Sequence, residues 1–379
     1  MDGFGCTCAI LVAGKIHGKG GFAETPLGGS KMAVVGFGII GCGNIGPVHA
    51  EAISQVPRAR LVAVSDVVEQ NAQRLAQKYS ACPYTDYRKL LERDDVDAVC
   101  LCVPSGMRAD IGTECARAGK HILAEKPIEI STARSDRLIE AASKAKVKLG
   151  CVFQSRFAEG SLLIRKAIEQ GRFGRLILGD AYIKWYRSQE YYRSGVWRGT
   201  RKFDGGGALI NQGIHQIDLL LWFMGPAKWV RAETRLRAHE GLEVEDLACA
   251  QIEFVNGALG VIEASTAIWP GHPARVEVHG SEGSAVLQDG ELCFWQFRRE
   301  RKADHRIRAS FKTESDLGSG ASDPLSHLKS EGHRRQIADF VKAIQEDRAP
   351  FVDGLEGRRS VQLIEAIYTS ARTGKTVRL

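Results

Sequence analysis

"VVGFGIIGCGNIGPVHAEAISQV", residues 34–56, decides the fold. Its apolar first part reads as a buried strand, and its last part carries helical spacing. Between them, "GCGNIG" sets Gly41, Gly43 and Gly46 in the pattern G-x-G-x-x-G. That pattern is weak alone. At a strand-to-helix junction inside a βαβ unit it has the context that gives it meaning. The glycines allow a tight turn. They also let the backbone N–H groups of the loop, through Asn44 and Ile45, approach a pyrophosphate at a helix N-terminus. Asp66 ends the next strand, "ARLVAVSD", 20 residues after Gly46. A carboxylate there accepts from both adenosine ribose hydroxyls and repels a 2′-phosphate, so NAD is expected rather than NADP.

Outward from this stretch, strands and helices alternate through "EQNAQRLAQKY", "DAVCLCVP", a helix near 108–118, "KHILAEKP", a helix at 132–145 and "VKLGCVF". Alternation of this length implies a parallel sheet covered on both faces. After residue 155 the style changes. One helix, "GSLLIRKAIEQG", precedes long strand-like runs at 175–186, 228–239, 244–255, 258–268, 273–279 and 284–297. "FVNGALG" is a hairpin signal. Helices near 332–346 and 356–373 close the chain, and the Ser/Gly/Asp-rich 309–330 reads as a loop. The fold class is α/β: a Rossmann domain over 32–153, then an α+β domain over 154–379 with a large, mostly antiparallel open sheet. The terminal helices are free to pack back on the first domain. Residues 1–31 are glycine-rich, lack a clear period and read as a disordered leader.

Composition excludes several classes. No apolar run approaches the roughly 18–20 residues needed to cross a bilayer. The net charge of +7 is uneven: "RRERKADHRIR", 298–308, holds six Arg/Lys against two acidic residues. This segment is expected to be a solvated loop or hairpin, with a phosphate or acidic-substrate patch as the alternative. It lacks the aromatic interleaving of a nucleic-acid surface. The ten cysteines include no C-x-x-C pair. They read as thiols of a reducing, cytoplasmic compartment, with Cys6 and Cys8 in the leader.

Ligands of an open α/β sheet bind beyond the carboxyl ends of its strands. That edge receives Pro104 and Ser105 from "CVPSGM", Glu125 and Lys126 from "AEKP", and Gln154 from "VFQSRF", whose amide is aimed at the nicotinamide. Downstream, "GGGALINQGIHQIDLLLW", 205–222, interrupts an apolar helix with Asn211, His215 and Asp218. At i and i+4, Asn211 and His215 share a face, and Asp218 borders it. This stripe is expected to face a wet cleft. No further ligand-type residues accompany it, so no metal site is expected. "WYRSQEYYRSGVWRGTRKFD", 185–204, offers Tyr186, Tyr191, Trp197 and Arg198, whose rings and donors suit sugar hydroxyls. Trp197 and Arg198 are placed at the cofactor edge as well. His49 and His333 read as packing or cap residues.

"GIIGCGNIGPVHAEAI", "AGKHILAEKPI" and "GGGALINQGIHQIDLLLWFMG" together resemble the Gfo/Idh/MocA oxidoreductases, over about residues 33–379. The resemblance implies NAD-dependent hydride transfer at a secondary hydroxyl or ketone of a sugar, cyclitol or sugar derivative. It also implies a homodimer or homotetramer formed through the C-terminal sheet. The family's catalytic lysine falls on Lys126, and its D-x-x-x-H pair falls on Asn211 and His215. Asn211 in place of Asp is a departure, as is Arg108 where many relatives carry His. His suits the proton acceptor and Lys the developing alkoxide. Two alternatives stay open: glycoside cleavage by transient oxidation, and a non-catalytic dinucleotide-dependent sensor.

Overall fold

The computed structural model describes residues 33–311 and 330–379. The expectations for the leader, Cys6, Cys8 and most of 309–330 lie outside the described residues.

The first half alternates as its periodicity dictates. Strands β1 (Val35–Ile40), β2 (Ala59–Ser65), β3 (Cys82–Tyr84), β4 (Ala98–Leu101), β5 (His121–Ala124) and β6 (Leu149–Cys151) form a sheet in the order β3-β2-β1-β4-β5-β6. Every pairing in it is parallel. Helices α1 (Gly46–Ser54), α2 (Glu69–Tyr79), α3 (Tyr87–Leu91), α4 (Arg108–Arg117) and α5 (Thr132–Ala145) connect the strands. β1 is buried along its whole length, as a central strand covered on both faces must be. The short β3 and α3 were not legible as separate elements, because three to five residues carry no period.

The second half begins with α6 (Glu159–Glu169) and builds an eight-stranded sheet. Its strands are β7 (Leu176–Lys184), β8 (Ala227–Arg235), β9 (Leu247–Phe254), β10 (Leu259–Ser265), β11 (Arg275–Gly280), β12 (Gly283–Gln288), β13 (Glu291–Phe297) and β14 (Val377–Arg378), with α7 (Gln189–Arg193) and α8 (Ile214–Met224) inserted after β7. The order is β13-β12-β11-β7-β10-β9-β8-β14. All pairs are antiparallel except β10 with β7. The run 284–297 is therefore a hairpin, β12 and β13, rather than one strand.

The basic segment also departs from expectation. Residues 302–309 form a helix, α9 (Lys302–Ala309). Asp304, at its third position, is fully buried and takes Arg172 Nη2 at 2.6 Å and Trp295 Nε1 at 2.7 Å. Arg308 pairs with Glu300 at 2.9 Å. Local carboxylates and a buried anchor thus give the charge run helical structure.

Two last helices, α10 (Ser330–Gln345) and α11 (Gly354–Thr373), return across the molecule. Ile337, Phe340 and Val341 of α10 complete the apolar cluster of Phe37, Ile39, Ile53 and Leu123 in the parallel half. α11 packs on β8 and on α5. No helix among the described residues is long and apolar enough to cross a membrane.

Candidate active site

The strand order reverses between β1 and β4, which opens a crevice at their carboxyl ends. The glycine loop lies there. Gly41 has φ +98°, and a Cβ on it would sit 2.6 Å from the Cys102 carbonyl oxygen. Only glycine fits that turn. Gly43 is exposed, with open space where a Cβ would point. Asn44 is also exposed, Ile45 is the N-cap of α1, and no side chain caps that helix. Pro47 carries no N–H and Val48 N donates to the Ile45 carbonyl at 3.1 Å, so Gly46 N and the N–H groups of the loop before it are what the turn offers a dinucleotide pyrophosphate. Asp66 lies against the loop: Oδ2 accepts from Cys42 N at 2.7 Å and Oδ1 from Val68 N at 2.8 Å. Pro104 leads into a short turn, Ser105–Met107, in which Ser105 is buried. Gln154 follows β6 with its Oε1 buried and without a hydrogen-bond partner, a polar atom suited to a nicotinamide amide.

The end of β5 carries two side chains with different fates. Glu125 is buried, and its Oε1 meets His49 Nε2 at 2.7 Å and His333 Nε2 at 3.7 Å. Its Oε2 accepts from Lys126 N at 3.0 Å. Burial pushes Glu125 up. The hydrogen bond from His49 and the nearby His333 ring outweigh it and hold the carboxyl well below the usual range. The ligand-type atoms of this triad lie within 4.8 Å of one another, and 2.7 Å between Nε2 and Oε1 is a hydrogen bond. His49 and His333 thus do more than pack or cap. With Glu125 they fix the backbone that presents Lys126. Arg108, also buried, donates to the Pro127 carbonyl from Nη1.

Lys126 is half-buried, and its Nζ donates to the Asn211 carbonyl at 2.9 Å. Burial lowers its pKa. Asn211 does not sit on α8 as the i,i+4 reading expected. Residues Ala208–Gly213 form a π-helical turn, and α8 starts at Ile214. The cause is local. Gly207 approaches Glu245 so closely that a Cβ would lie 1.9 Å from its carbonyl oxygen. The Glu245 carboxylate takes Gly207 N at 3.1 Å and Leu209 N at 2.9 Å, satisfying the first N–H groups of the turn. Widened turns of this kind recur at functional sites.

His215 follows, half-buried, edge-on to Phe153 with ring centroids 5.8 Å apart. Its Nδ1 is buried without a hydrogen-bond partner. Burial and the Lys126 ammonium push its pKa down to about 3, so the imidazole is neutral. Asp218 is a correction. It is buried and paired with Arg156, Nη2 to Oδ1 at 2.7 Å and Nε to Oδ2 at 2.8 Å. The polar stripe therefore divides: Asn211 and His215 belong to the Lys126 site, and Asp218 belongs to a core ion pair.

The 185–204 segment reaches this site selectively. Tyr191 OH accepts from Gln212 Nε2 at 2.9 Å. The Arg198 guanidinium stacks on Tyr191 at 4.2 Å and on Trp197 at 4.6 Å. Tyr186 instead packs edge-on against Trp269. Two contributors escaped sequence reasoning. Gln212 links Arg187 Nε, at 2.9 Å, to Tyr191 and Asn211. Asp204 accepts from Asn211 Nδ2. The only sequence signal for Asp204 was an acidic residue directly before the triple glycine.

Residues 35–153 match the model of an oxidoreductase family with an NAD-binding Rossmann fold. Residues 161–286 match the GFO/IDH/MocA C-terminal domain. A myo-inositol 2-dehydrogenase of Thermotoga maritima is 27% identical over 358 residues, 90% of this chain and 98% of its own. A levoglucosan dehydrogenase of Pseudarthrobacter phenanthrenivorans is 27% identical, covering 90% and 97%. Among solved structures, the WlbA dehydrogenase from Bordetella pertussis, in complex with NADH and UDP-GlcNAcA, superposes with a TM-score of 0.83. It is 32% identical, covering 92% of this chain and 98% of its own.

Proposed function

The chain belongs to the Gfo/Idh/MocA family of NAD-binding oxidoreductases, and from that premise we propose that Lys126 and His215 carry hydride transfer at a secondary hydroxyl of a sugar or cyclitol. The observation that carries the reading is the 2.9 Å bond from Lys126 Nζ to the Asn211 carbonyl, which joins the end of β5 to the segment bearing His215.

NAD, when bound, supplies the hydride acceptor. Gly41, Gly43, Asn44, Ile45 and Gly46 would hold its pyrophosphate, Asp66 its ribose and Gln154 its amide. Lys126 spends one N–H on Asn211 and keeps two donors for the substrate oxygen. Those donors stabilise the alkoxide as it forms. His215 accepts the hydroxyl proton. A base with a pKa near 3 suffices, because the carbinol proton becomes strongly acidic as the hydride departs. Arg198 and Tyr191, stiffened by stacking, line the sugar side of the cleft.

Within this reading, 32–153 bind cofactor and 154–379 bind substrate. The exposed face of the eight-stranded sheet, with Leu259 and Phe294 uncovered, joins copies of the chain. Buried thiols at Cys42, Cys100, Cys115 and Cys151 suit a reducing cytoplasm.

The test is incubation with NAD and a panel of cyclitols, free sugars, glycosides and nucleotide sugars, following NADH absorbance. At least one polyol should yield NADH, and Lys126→Ala should abolish it. Tight NAD binding with no NADH from any polyol would sink the reading. Glycoside cleavage without net NADH would replace it with transient oxidation.

A further inference from the structure

Asp204 is the buried acid of this site that the reading above leaves without a task. It is 1% exposed. One carboxylate oxygen accepts from Gly199 N at 2.9 Å and the other from Asn211 Nδ2. Among the described residues it enters no ion pair, and Arg198 and Lys126 act on it only through space. An acid buried in this way is costly, and it persists where a neighbour depends on it.

The neighbour is Asn211. A side-chain amide has a donor end and an acceptor end, and its hydrogen-bond partners decide which way each points. An ionised carboxylate only accepts. The Asn211 nitrogen must therefore face Asp204, and its oxygen must face away, where Gln212 Nε2 lies at 3.4 Å. The same residue's carbonyl holds Lys126 Nζ. One acid thus sets the polarity of a side chain one hydrogen bond from the lysine.

We propose that ionised Asp204 is a positioning residue for hydride transfer, fixing the Asn211 amide with its oxygen presented to a substrate hydroxyl. The inference rests on the dehydrogenase reading above. Burial raises the Asp204 carboxyl to about 6, against the opposing pull of Gly199 N–H, the Asn211 amide, Arg198 and Lys126. It is still ionised at pH 7.5.

The test exploits amide polarity. In Asp204→Asn, the new amide must keep its oxygen on Gly199 N–H, so its NH2 faces residue 211. Asn211 must then turn over and present NH2 to the substrate. Adding Asn211→Asp restores an oxygen, because a carboxylate accepts from the new amide and still presents an acceptor. D204N should lower kcat roughly three- to tenfold, the size of one lost hydrogen bond between neutral groups. The KM for NAD should be unchanged, and D204N/N211D should recover most of kcat. N211D alone sets two carboxylates against each other and should also fall.

A second arm needs no substrate. With asparagine-selective 15N labelling, the Asn211 side-chain NH2 signal, assigned by its loss in N211D, should be protected from exchange in the wild type and shifted and deprotected in D204N. Wild-type kcat in D204N, a double variant no better than D204N, or an unmoved NH2 signal would each overturn the proposal. Absence of turnover by the wild type on every polyol rejects the dehydrogenase reading instead, and the NMR arm then decides the role of Asp204 alone.

Discussion

His215 is held neutral by burial and by the Lys126 ammonium, and that has a cost that can be measured. Its folded pKa, about 3, lies below the ordinary value of 6.5. Above pH 6.5 both states are neutral there and nothing is lost. As pH falls below 6.5 the unfolded chain takes up a proton that the folded chain refuses, so stability drops, by about 2 kcal/mol at pH 5. His215→Gln should remove this penalty: its Tm should fall less than that of the wild type between pH 7 and pH 5. The same variant should lose roughly 10²–10⁴-fold in kcat, the usual size of acid–base catalysis, with NAD affinity retained. Equal acid sensitivity of the two proteins would show that the imidazole is not kept from protonating.

The π-turn Ala208–Gly213 carries Asn211 of the proposed site, and Gly207 stands at its N-terminus. Gly207→Ala drives a methyl carbon into the Glu245 carbonyl oxygen, 1.9 Å away, with a Val244 methyl at 3.1 Å. Repacking should cost about 1–3 kcal/mol of stability and, unlike a remote core change, should also raise the KM for the polyol. Denaturant unfolding with steady-state kinetics would check both, and a stability loss without any kinetic change would separate the turn from function. This element also marks how far sequence reasoning reached. Helical spacing put Asn211 and His215 together, and both lie near Lys126, but through a widened turn that no residue period reports. Its cause is the carboxylate of Glu245, 36 residues from Leu209. The glycine loop, by contrast, was fully legible, because strand, turn and helix N-terminus are contiguous in the chain.

At the scale of the molecule, Arg156 ties three segments together: the turn after β6, α8 through Asp218 and α11 through Glu356 at 2.7 Å. Asp218→Ala leaves that arginine charged, buried and short of a partner, and should destabilise by about 3–5 kcal/mol. Pairing it with Arg156→Met should return much of the loss, as read by chemical denaturation. Additive losses would mean that the two side chains do not depend on each other. The ion pair was illegible because its members lie 62 residues apart and each looks polar alone. The parallel sheet was legible from alternation, yet nothing in its own 120 or so residues announced that α10 would seal it. Phe340 and Ile337 lie against strands made some 300 residues earlier. A ribosome therefore releases the glycine-loop half with one flank uncovered. That nascent half must wait for α10 to emerge before it is closed, and during the interval it is a natural client for chaperones.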